Sequence, residues 1–225
     1  MKSQSVFGFF LSILMVAVAS AVDYRVEPLD EAPPVDELSA EIASQLSPHG
    51  LRVIRGTKRA YCDIWLLKQW EIPASFEPTA EIIYPFRPGQ LVGVARFSRK
   101  GADFRGQDIA RGVYTMRYAH QPVDGSHIGT SPTRDFLLLL RADADKSAKG
   151  LGTEDLIANS AAAAASSHPC MLCLQRVSEH AGKFPSMRHY EEFDWWIVGL
   201  QGQVKAGAET KKLAMELVIA GAAIE

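Results

Sequence analysis

The chain has 225 residues, of which 47% are hydrophobic and 22% are charged, and its formal net charge is −2 at pH 7. Such values are typical of a globular protein with a sizeable core, so we expect one domain with short appendages. Acidic and basic residues are well mixed, and the sequence contains no basic block. These features argue against a nucleic-acid partner and against a polybasic membrane patch.

Residues 1–21 have the three parts of a secretory signal peptide. Lys2 supplies a positive charge, an apolar run extends from Val6 to Val18, and Ala19-Ser20-Ala21 fits the small-residue rule for cleavage after Ala21. An uncleaved membrane anchor is the alternative, because the apolar run from Val6 to Val22 approaches the spanning length of about 17 to 25 residues. We predict an exported chain, periplasmic or secreted, with no membrane span after signal cleavage.

Residues 22–48 predict a proline- and acid-rich lead followed by a short amphipathic helix. Apolar residues three or four positions apart form a helical stripe: Val35, Leu38, Ile42 and Leu46. Pro34 precedes the stripe and Pro48 follows it, as at the two ends of a helix. Such a stripe usually packs on a core, and a targeting or partner-binding helix is the alternative.

Residues 49–225 predict a single β-domain with a helical insertion near residues 153–167. The predicted strands are Leu51–Arg55, Ala60–Leu67, Ile82–Tyr84, Gln90–Ser98, Gly112–Tyr118, Asp135–Leu140, Cys170–Leu174, Asp194–Val198 and Lys212–Ile219. In Gly112–Tyr118 the side chains alternate between two faces, whereas Leu137–Leu140 has no polar face and should be covered on both sides. About nine strands with two short helices predict an all-β antiparallel sandwich of Greek-key or jelly-roll type.

Two residues have predicted structural roles at the start of the central strand. Tyr114 follows the turn residue Gly112 by two positions, which is where a tyrosine corner would bond back to the preceding connection. The alternative is that Tyr114 is one more core aromatic residue.

At Gly112–Tyr118 and Ser131–Phe136 the sequence resembles uncharacterised exported bacterial proteins of predicted β-sandwich form. The resemblance covers about the middle third of the chain. It implies the fold, and it brings no activity, cofactor or site residue with it.

Three cysteines allow several interpretations. Cys170 and Cys173 form a C-x-x-C motif, but Leu174 follows where haem attachment needs histidine, and no second C-x-x-C completes a zinc site. On an extended strand the two sulfurs would lie on opposite faces about 10 Å apart, so they would not pair with each other. We expect buried thiols; a disulfide from Cys62 to Cys170 or to Cys173 and a redox dithiol are the alternatives.

One loop and one aromatic pair are the candidate binding residues. The long loop carries three possible metal ligands, His120, Asp124 and His127. The alternative is that these residues are simply solvated polar residues of a loop. We expect no cofactor. Trp195 and Trp196 should point to opposite faces of a strand, so one of them either faces a ligand or lies under a covering segment, for which the helix near 153–167 is the candidate.

These features favour an exported, non-catalytic protein that binds a protein or a polysaccharide at the cell envelope. The first alternative is a carboxylate- or metal-dependent hydrolase acting on glycans, because Glu191, Glu192 and Asp194 lie beside the tryptophans. The second is a structural envelope component.

Overall fold

The computed structural model describes residues 22–125, 129–179 and 182–224, so the predicted signal segment lies outside the described residues. Within these ranges the strands are β1 (Tyr24–Leu29), β2 (Gly50–Arg55), β3 (Arg59–Leu66), β4 (Trp70–Ile72), β5 (Leu91–Phe97), β6 (Gly101–Ala102), β7 (Asp108–Ile109), β8 (Gly112–His120), β9 (Asp135–Arg141), β10 (Met171–Gln175), β11 (Ser186–Tyr190), β12 (Trp195–Ala206) and β13 (Glu209–Ala220). The helices are α1 (Ala40–Gln45) and α2 (Thr153–Ala163), with a 3-10 turn at Val35–Glu37. None of the helices in these ranges has the length and apolar character needed to cross a membrane.

Eleven of the strands form one sheet that curls into a nearly closed barrel. Its order is β1-β2-β3-β5-β8-β9-β10-β13-β12-β11, with antiparallel neighbours, and β4 adds to β12 in parallel. The two ends of the sheet meet where the Tyr24 ring lies 5.4 Å from the Trp196 ring, which stacks on His189 of β11. The all-β prediction is confirmed. The arrangement differs from the predicted nine-strand sandwich, because eleven strands belong to one continuous curved sheet and β6 pairs with β7 separately.

The additional strands lie where the sequence pattern is weakest. Strand β1 falls in the stretch predicted as a proline- and acid-rich lead, where Pro28 interrupts the alternation that would indicate a strand. An edge strand tolerates proline, since one of its sides has no partner. The predicted strand Ile82–Tyr84 is not formed. The backbone N–H groups of Ile83 and Tyr84 donate instead to the carboxylate of Asp135, at 2.9 and 3.3 Å.

The inside of the barrel is a packed core. Its side chains come from strands of the large sheet and from the segment between β4 and β5, and its large aromatic residues include Trp70, Tyr84, Phe86, Tyr114 and Tyr118. Leu137 and Leu139 face this core, whereas Leu138 and Leu140 face outward and are covered by Leu156 of α2. Strand β9 is therefore buried on both faces, as its four leucines predicted.

Helix α1 packs on the outer face of the sheet, over β3 and β5. Its Ile42 is fully buried and belongs to a cluster with Leu38 and Leu46 that covers Trp65 and Val94 of β3 and β5. The predicted stripe extends from Val35 to Leu46, whereas helix α1 spans only Ala40–Gln45. The apolar side of the helix faces the sheet.

Tyr114 makes the hydrogen bond expected of a tyrosine corner. Its hydroxyl donates to the carbonyl oxygen of Ala110, at 2.8 Å, and the Arg141 guanidinium lies 5.2 Å above its ring. Gly112 leaves room for this arrangement, because a Cβ at that position would collide with the Arg141 guanidinium. The start of β8 is thereby fixed to the connection that precedes it.

A buried ion pair fixes the connection between β9 and α2. Arg117 is fully buried on the outer face of β8, and its Nε and Nη2 donate to the two carboxylate oxygens of Asp145, at 2.6 and 2.8 Å. Its Nη1 donates to the carbonyl oxygens of Gly89 and Lys149, and its Nη2 also donates to that of Ser147. All N–H directions of the guanidinium are used, so residues 142–152 are held against the sheet.

Replacing Arg117 tests this role. Arg117→Met should lower the free energy of unfolding by about 3–5 kcal/mol, because Asp145 would remain buried without its counter-charge. Denaturant unfolding measures the loss. The matched control is Arg25→Met, whose ion pair with Glu27 is exposed on both sides and should contribute about 0–1 kcal/mol. Equal losses in the two variants would contradict the assignment.

Candidate binding cleft

A cleft of about 800 Å³ lies outside the barrel, between the sheet and helix α2. Its apolar walls come from six separate parts of the chain: Phe104, Ala119, Phe136, Leu138, Leu156, Ile157, Met171, Ala223 and Ile224. We name it the α2 cleft. Because the barrel interior is filled with side chains, we place the candidate binding site in this outer cleft.

Local structure places each wall. Phe136 and Leu138 alternate outward on β9, and Leu156 of α2 packs above Leu138. Ile157, the next helix residue, reaches the rim and is 41% exposed. The loop between β6 and β7 brings in Phe104, whose carbonyl oxygen accepts a hydrogen bond of 2.7 Å from the backbone N–H of Ala223. The C-terminal segment is thus fixed as the last wall.

A buried carboxylate shapes the β6–β7 loop. One oxygen of Asp103 accepts hydrogen bonds from the backbone N–H groups of Arg105 and Gln107, at 2.9 and 2.8 Å. The other oxygen accepts from the backbone N–H of Met171, at 3.1 Å. This carboxylate joins the loop to β10 and leaves the Arg105 side chain exposed at the mouth of the α2 cleft.

The rim of the α2 cleft is polar and positively charged. Arg134 lies on it, where its Nε donates to the carbonyl oxygen of Gln121 at 2.9 Å. Gln121 in turn donates from Nε2 to the Thr130 hydroxyl, also at 2.9 Å. Arg105 is the second cation, and no aspartate or glutamate is among the described residues that line the cleft. The cleft therefore combines apolar walls with a rim that favours a negative charge.

His120 enters the rim at the end of a hydrogen-bonded chain. The Tyr118 hydroxyl donates to the buried carboxylate of Asp135, and His120 Nε2 lies 3.0 Å from the same hydroxyl oxygen. Because the only hydroxyl proton of Tyr118 goes to Asp135, His120 must donate from Nε2, which leaves its Nδ1 as an acceptor. Burial raises the pKa of Tyr118, and its hydrogen bond to Asp135 adds to that shift.

Burial lowers the pKa of His120, and the nearby Arg134 acts in the same direction, against the attraction of Asp135. The folded chain therefore binds a proton at His120 less readily than the unfolded chain, whose histidines titrate near 6.5. The contribution of the neutral His120 side chain to stability is therefore fully present above about pH 6.5, and it is lost as the pH falls through the lowered pKa of the folded chain.

We expect the free energy of unfolding to decrease between about pH 7 and about pH 5, and His120→Gln to reduce that decrease. Urea unfolding at a series of pH values measures both slopes. His49→Gln is the control, because His49 is exposed on another part of the surface. If the wild-type and His120→Gln slopes are the same, His120 does not carry this pH dependence.

The predicted metal ligands are only partly within the described residues. His120 is bound to Tyr118, Asp124 is exposed on the loop, and His127 lies outside the described residues. Among the residues that the structure describes, no group of three histidine, cysteine, aspartate or glutamate side chains is placed to hold a metal ion. The metal hypothesis therefore gains no geometric support.

The two tryptophans do point to opposite faces of β12. Trp195 is only 1% exposed; its Nε1 donates to the carbonyl oxygen of Ala222 at 2.7 Å, and the Phe104 ring lies 5.3 Å away. Its cover is thus the β6–β7 loop and the C-terminal segment, and not α2 as the sequence suggested. Trp196 is half-buried, with the His189 ring stacked on it at 4.5 Å. Trp195 is not accessible to a ligand, and the Trp196 ring is already partly covered.

The carboxylates beside the tryptophans are exposed on the turn between β11 and β12. Asp194 Oδ1 lies 2.7 Å from His189 Nε2, and Glu192 accepts a hydrogen bond from the Tyr190 hydroxyl. Two of the three are thus engaged with side chains of their own hairpin, and none of them lines the α2 cleft.

All three cysteines are free thiols in buried positions, so the alternative disulfide from Cys62 to Cys170 or Cys173 is not formed. Cys62 and Cys170 belong to the inner core, whereas Cys173 faces the outer cluster around Trp195. Burial raises the pKa of Cys173 to about 12, which keeps the thiol protonated and poorly reactive.

No protein-family model matches this sequence, and neither a curated protein nor a solved structure shows a significant match to it. The resemblance to exported β-sandwich proteins stays a prediction.

Sequence reasoning missed most of the α2 cleft. Arg105, Arg134 and Ile224 lie in stretches that read as loops or as a chain end, and Phe104 gave no periodic signal. Only the long loop after His120 was singled out in advance. The cleft is formed by segments far apart in sequence, so no local pattern identifies it.

Proposed function

We propose that the protein is an exported, non-catalytic binding protein and that its α2 cleft binds a small amphipathic anion. The observation that carries this proposal is an apolar concavity of about 800 Å³ whose rim bears Arg105 and Arg134 and no carboxylate of the described residues. The assignment as an exported protein rests on the signal-peptide pattern of residues 1–21.

The size and lining of the cleft fit a small-molecule ligand. Binding sites for such ligands measure about 300–1,000 Å³ and combine mostly apolar walls with a few placed polar groups. Here the apolar side chains of Phe136, Leu138 and Leu156 form the floor. A hydrocarbon chain on these walls would be removed from water, which contributes about 25 cal/mol per Å² of apolar area buried.

The positive charge of the rim indicates that the ligand carries a negatively charged head group. The guanidinium of Arg105 makes no hydrogen bond or ion pair with the described residues, whereas that of Arg134 donates to the carbonyl oxygen of Gln121 and lies 3.6 Å from Glu81. A guanidinium binds a carboxylate in a two-pronged arrangement that neutral head groups do not reproduce. A fatty-acid-like molecule therefore fits better than a neutral lipid.

The protein and polysaccharide partners inferred from the tryptophans have weaker support. A sugar ring would need an open aromatic face, but Trp195 is buried and Trp196 is stacked on His189. A glycan hydrolase would need two carboxylates facing one cleft, and Glu191 and Glu192 lie on an exposed turn. These remain predictions without a site.

Calorimetric titration of the chain without residues 1–21 tests the proposal. Dodecanoate should bind with one-to-one stoichiometry, and dodecanol should bind at least about tenfold more weakly, because it lacks the charge that Arg105 recognises. Ile157→Asp should weaken dodecanoate binding by about tenfold or more, since it places a carboxylate on an apolar wall.

The control for Ile157→Asp is Val35→Asp. Both residues are exposed apolar residues, at 41% and 53%, and Val35 lies outside the α2 cleft. Arg105→Gln should weaken dodecanoate and leave dodecanol unchanged. If dodecanoate does not bind, or if the two aspartate variants lose affinity equally, the proposed function is wrong.

A further inference from the structure

A second concavity, of about 560 Å³, lies at the end of the barrel where the turn between β2 and β3 meets the end of β5. Its polar lining consists of four cations and two hydroxyls: Arg55, Lys58, Arg59 and Arg99, with Thr57 and Ser98. We name it the hairpin basic site. No acidic residue is among the described residues that line it, although the whole chain has a net charge of −2. It shares no lining residue with the α2 cleft.

Two of these cations face each other across the hairpin. Arg55 of β2 is directly opposite Arg59 of β3 in the strand register. Like charges in directly opposite positions destabilise an antiparallel pair. The repulsion is greater here because Lys58 lies in the same turn, and none of the ion pairs formed between described residues includes these three side chains.

Two other arginines on these strands do have a counter-charge. Arg52 of β2 and Arg96 of β5 both lie within 2.6 Å of the buried carboxylate of Asp63 on β3, which stands between them. The sheet therefore places a counter-charge between one pair of arginines and leaves Arg55 and Arg59 without one. Such a local conflict is typical of a functional site.

The Arg55 side chain is also held in place. Its guanidinium lies 5.8 Å from the centre of the Tyr24 ring, and Tyr24 packs in turn against the rings of Tyr61 and Trp196. A cation over an aromatic face is attracted to it and loses little further freedom when an anion binds. One donor of the site is thereby positioned before binding.

We propose that the hairpin basic site binds a phosphate group, either free in solution or in the head group of an anionic lipid. Guanidinium groups match phosphate oxygens in two-pronged hydrogen bonds, and the lysine adds a point charge. A phosphate between Arg55 and Arg59 would supply the counter-charge that Asp63 supplies to Arg52 and Arg96. The inference does not depend on the function proposed for the α2 cleft.

Inorganic pyrophosphate is the probe for the free anion. Calorimetric titration of the chain without residues 1–21 at low ionic strength should show saturable binding that weakens as salt is added. The double variant Arg55→Gln/Arg59→Gln should lose affinity by tenfold or more. The control Lys211→Gln/Lys212→Gln removes the same charge from exposed residues at the start of β13, at the other end of the barrel, and should retain affinity within about twofold.

Vesicles separate the two sources of phosphate. If the ligand is a lipid head group, vesicles that contain phosphatidylglycerol should bind the wild-type chain in a sedimentation assay. Vesicles of phosphatidylcholine alone should not bind it. Binding to pyrophosphate without vesicle binding assigns the site to a free phosphate compound. In either case the double variant must lose the binding and the lysine control must keep it.

A measurement without ligand tests the same site independently. Arg59 is exposed, so Arg59→Gln should fold, and it should raise the Tm of the free protein at low ionic strength by removing the repulsion with Arg55. The gain should disappear at high salt. The proposal is overturned if neither probe binds, if both double variants lose affinity equally, or if Arg59→Gln lowers the Tm.

Discussion

The position of helix α2 depends on one buried cation. Arg117 brings a full charge out of water on the outer face of β8, which is favourable only because Asp145 and three carbonyl oxygens take up all its N–H groups. Asp145, Ser147 and Lys149 lie in the chain between β9 and α2, so their hydrogen bonds determine the path of that connection. Helix α2 therefore packs over Leu138 and Leu140, and the α2 cleft lies beside the helix.

The packing of the barrel explains why the candidate sites lie outside it. Aromatic side chains fill the interior, and among the described residues no buried side-chain nitrogen or oxygen lacks a hydrogen-bond partner. Buried polar groups are thus fully used by the fold: Asp63 with two arginines, Asp135 with Tyr118, and Asp103 with its own loop. Uncompensated charge appears instead at the surface, on the rim of the α2 cleft and in the hairpin basic site. The two surfaces differ in chemistry, since the first is apolar with a charged rim and the second brings together four cationic side chains and two hydroxyls.

Local patterns in the sequence predicted local structure well. The four leucines of Leu137–Leu140 indicated a strand covered on both faces, and the alternation around Tyr114 located the central strand. The closure of the sheet could not be predicted, because it depends on contacts between β1 and β11, which lie at opposite ends of the chain and carry weak patterns. The α2 cleft was missed for a similar reason, because its apolar walls come from six segments that are far apart in the sequence. The opposition of Arg55 and Arg59 follows from a hairpin that the sequence did predict, but the absence of a counter-charge is a property of the folded surface.

The most direct test of the account is an NMR titration of the methyl groups of the chain without residues 1–21 with dodecanoate. Methyl groups of Leu138, Leu156, Ile157, Met171 and Ile224 line the α2 cleft and should shift together with one saturation curve. Methyl groups of the cluster under α1, such as those of Ile42 and Val94, lie outside the cleft and should not shift. Shifts confined to the cluster under α1, or none in the cleft at saturating dodecanoate, would contradict the account.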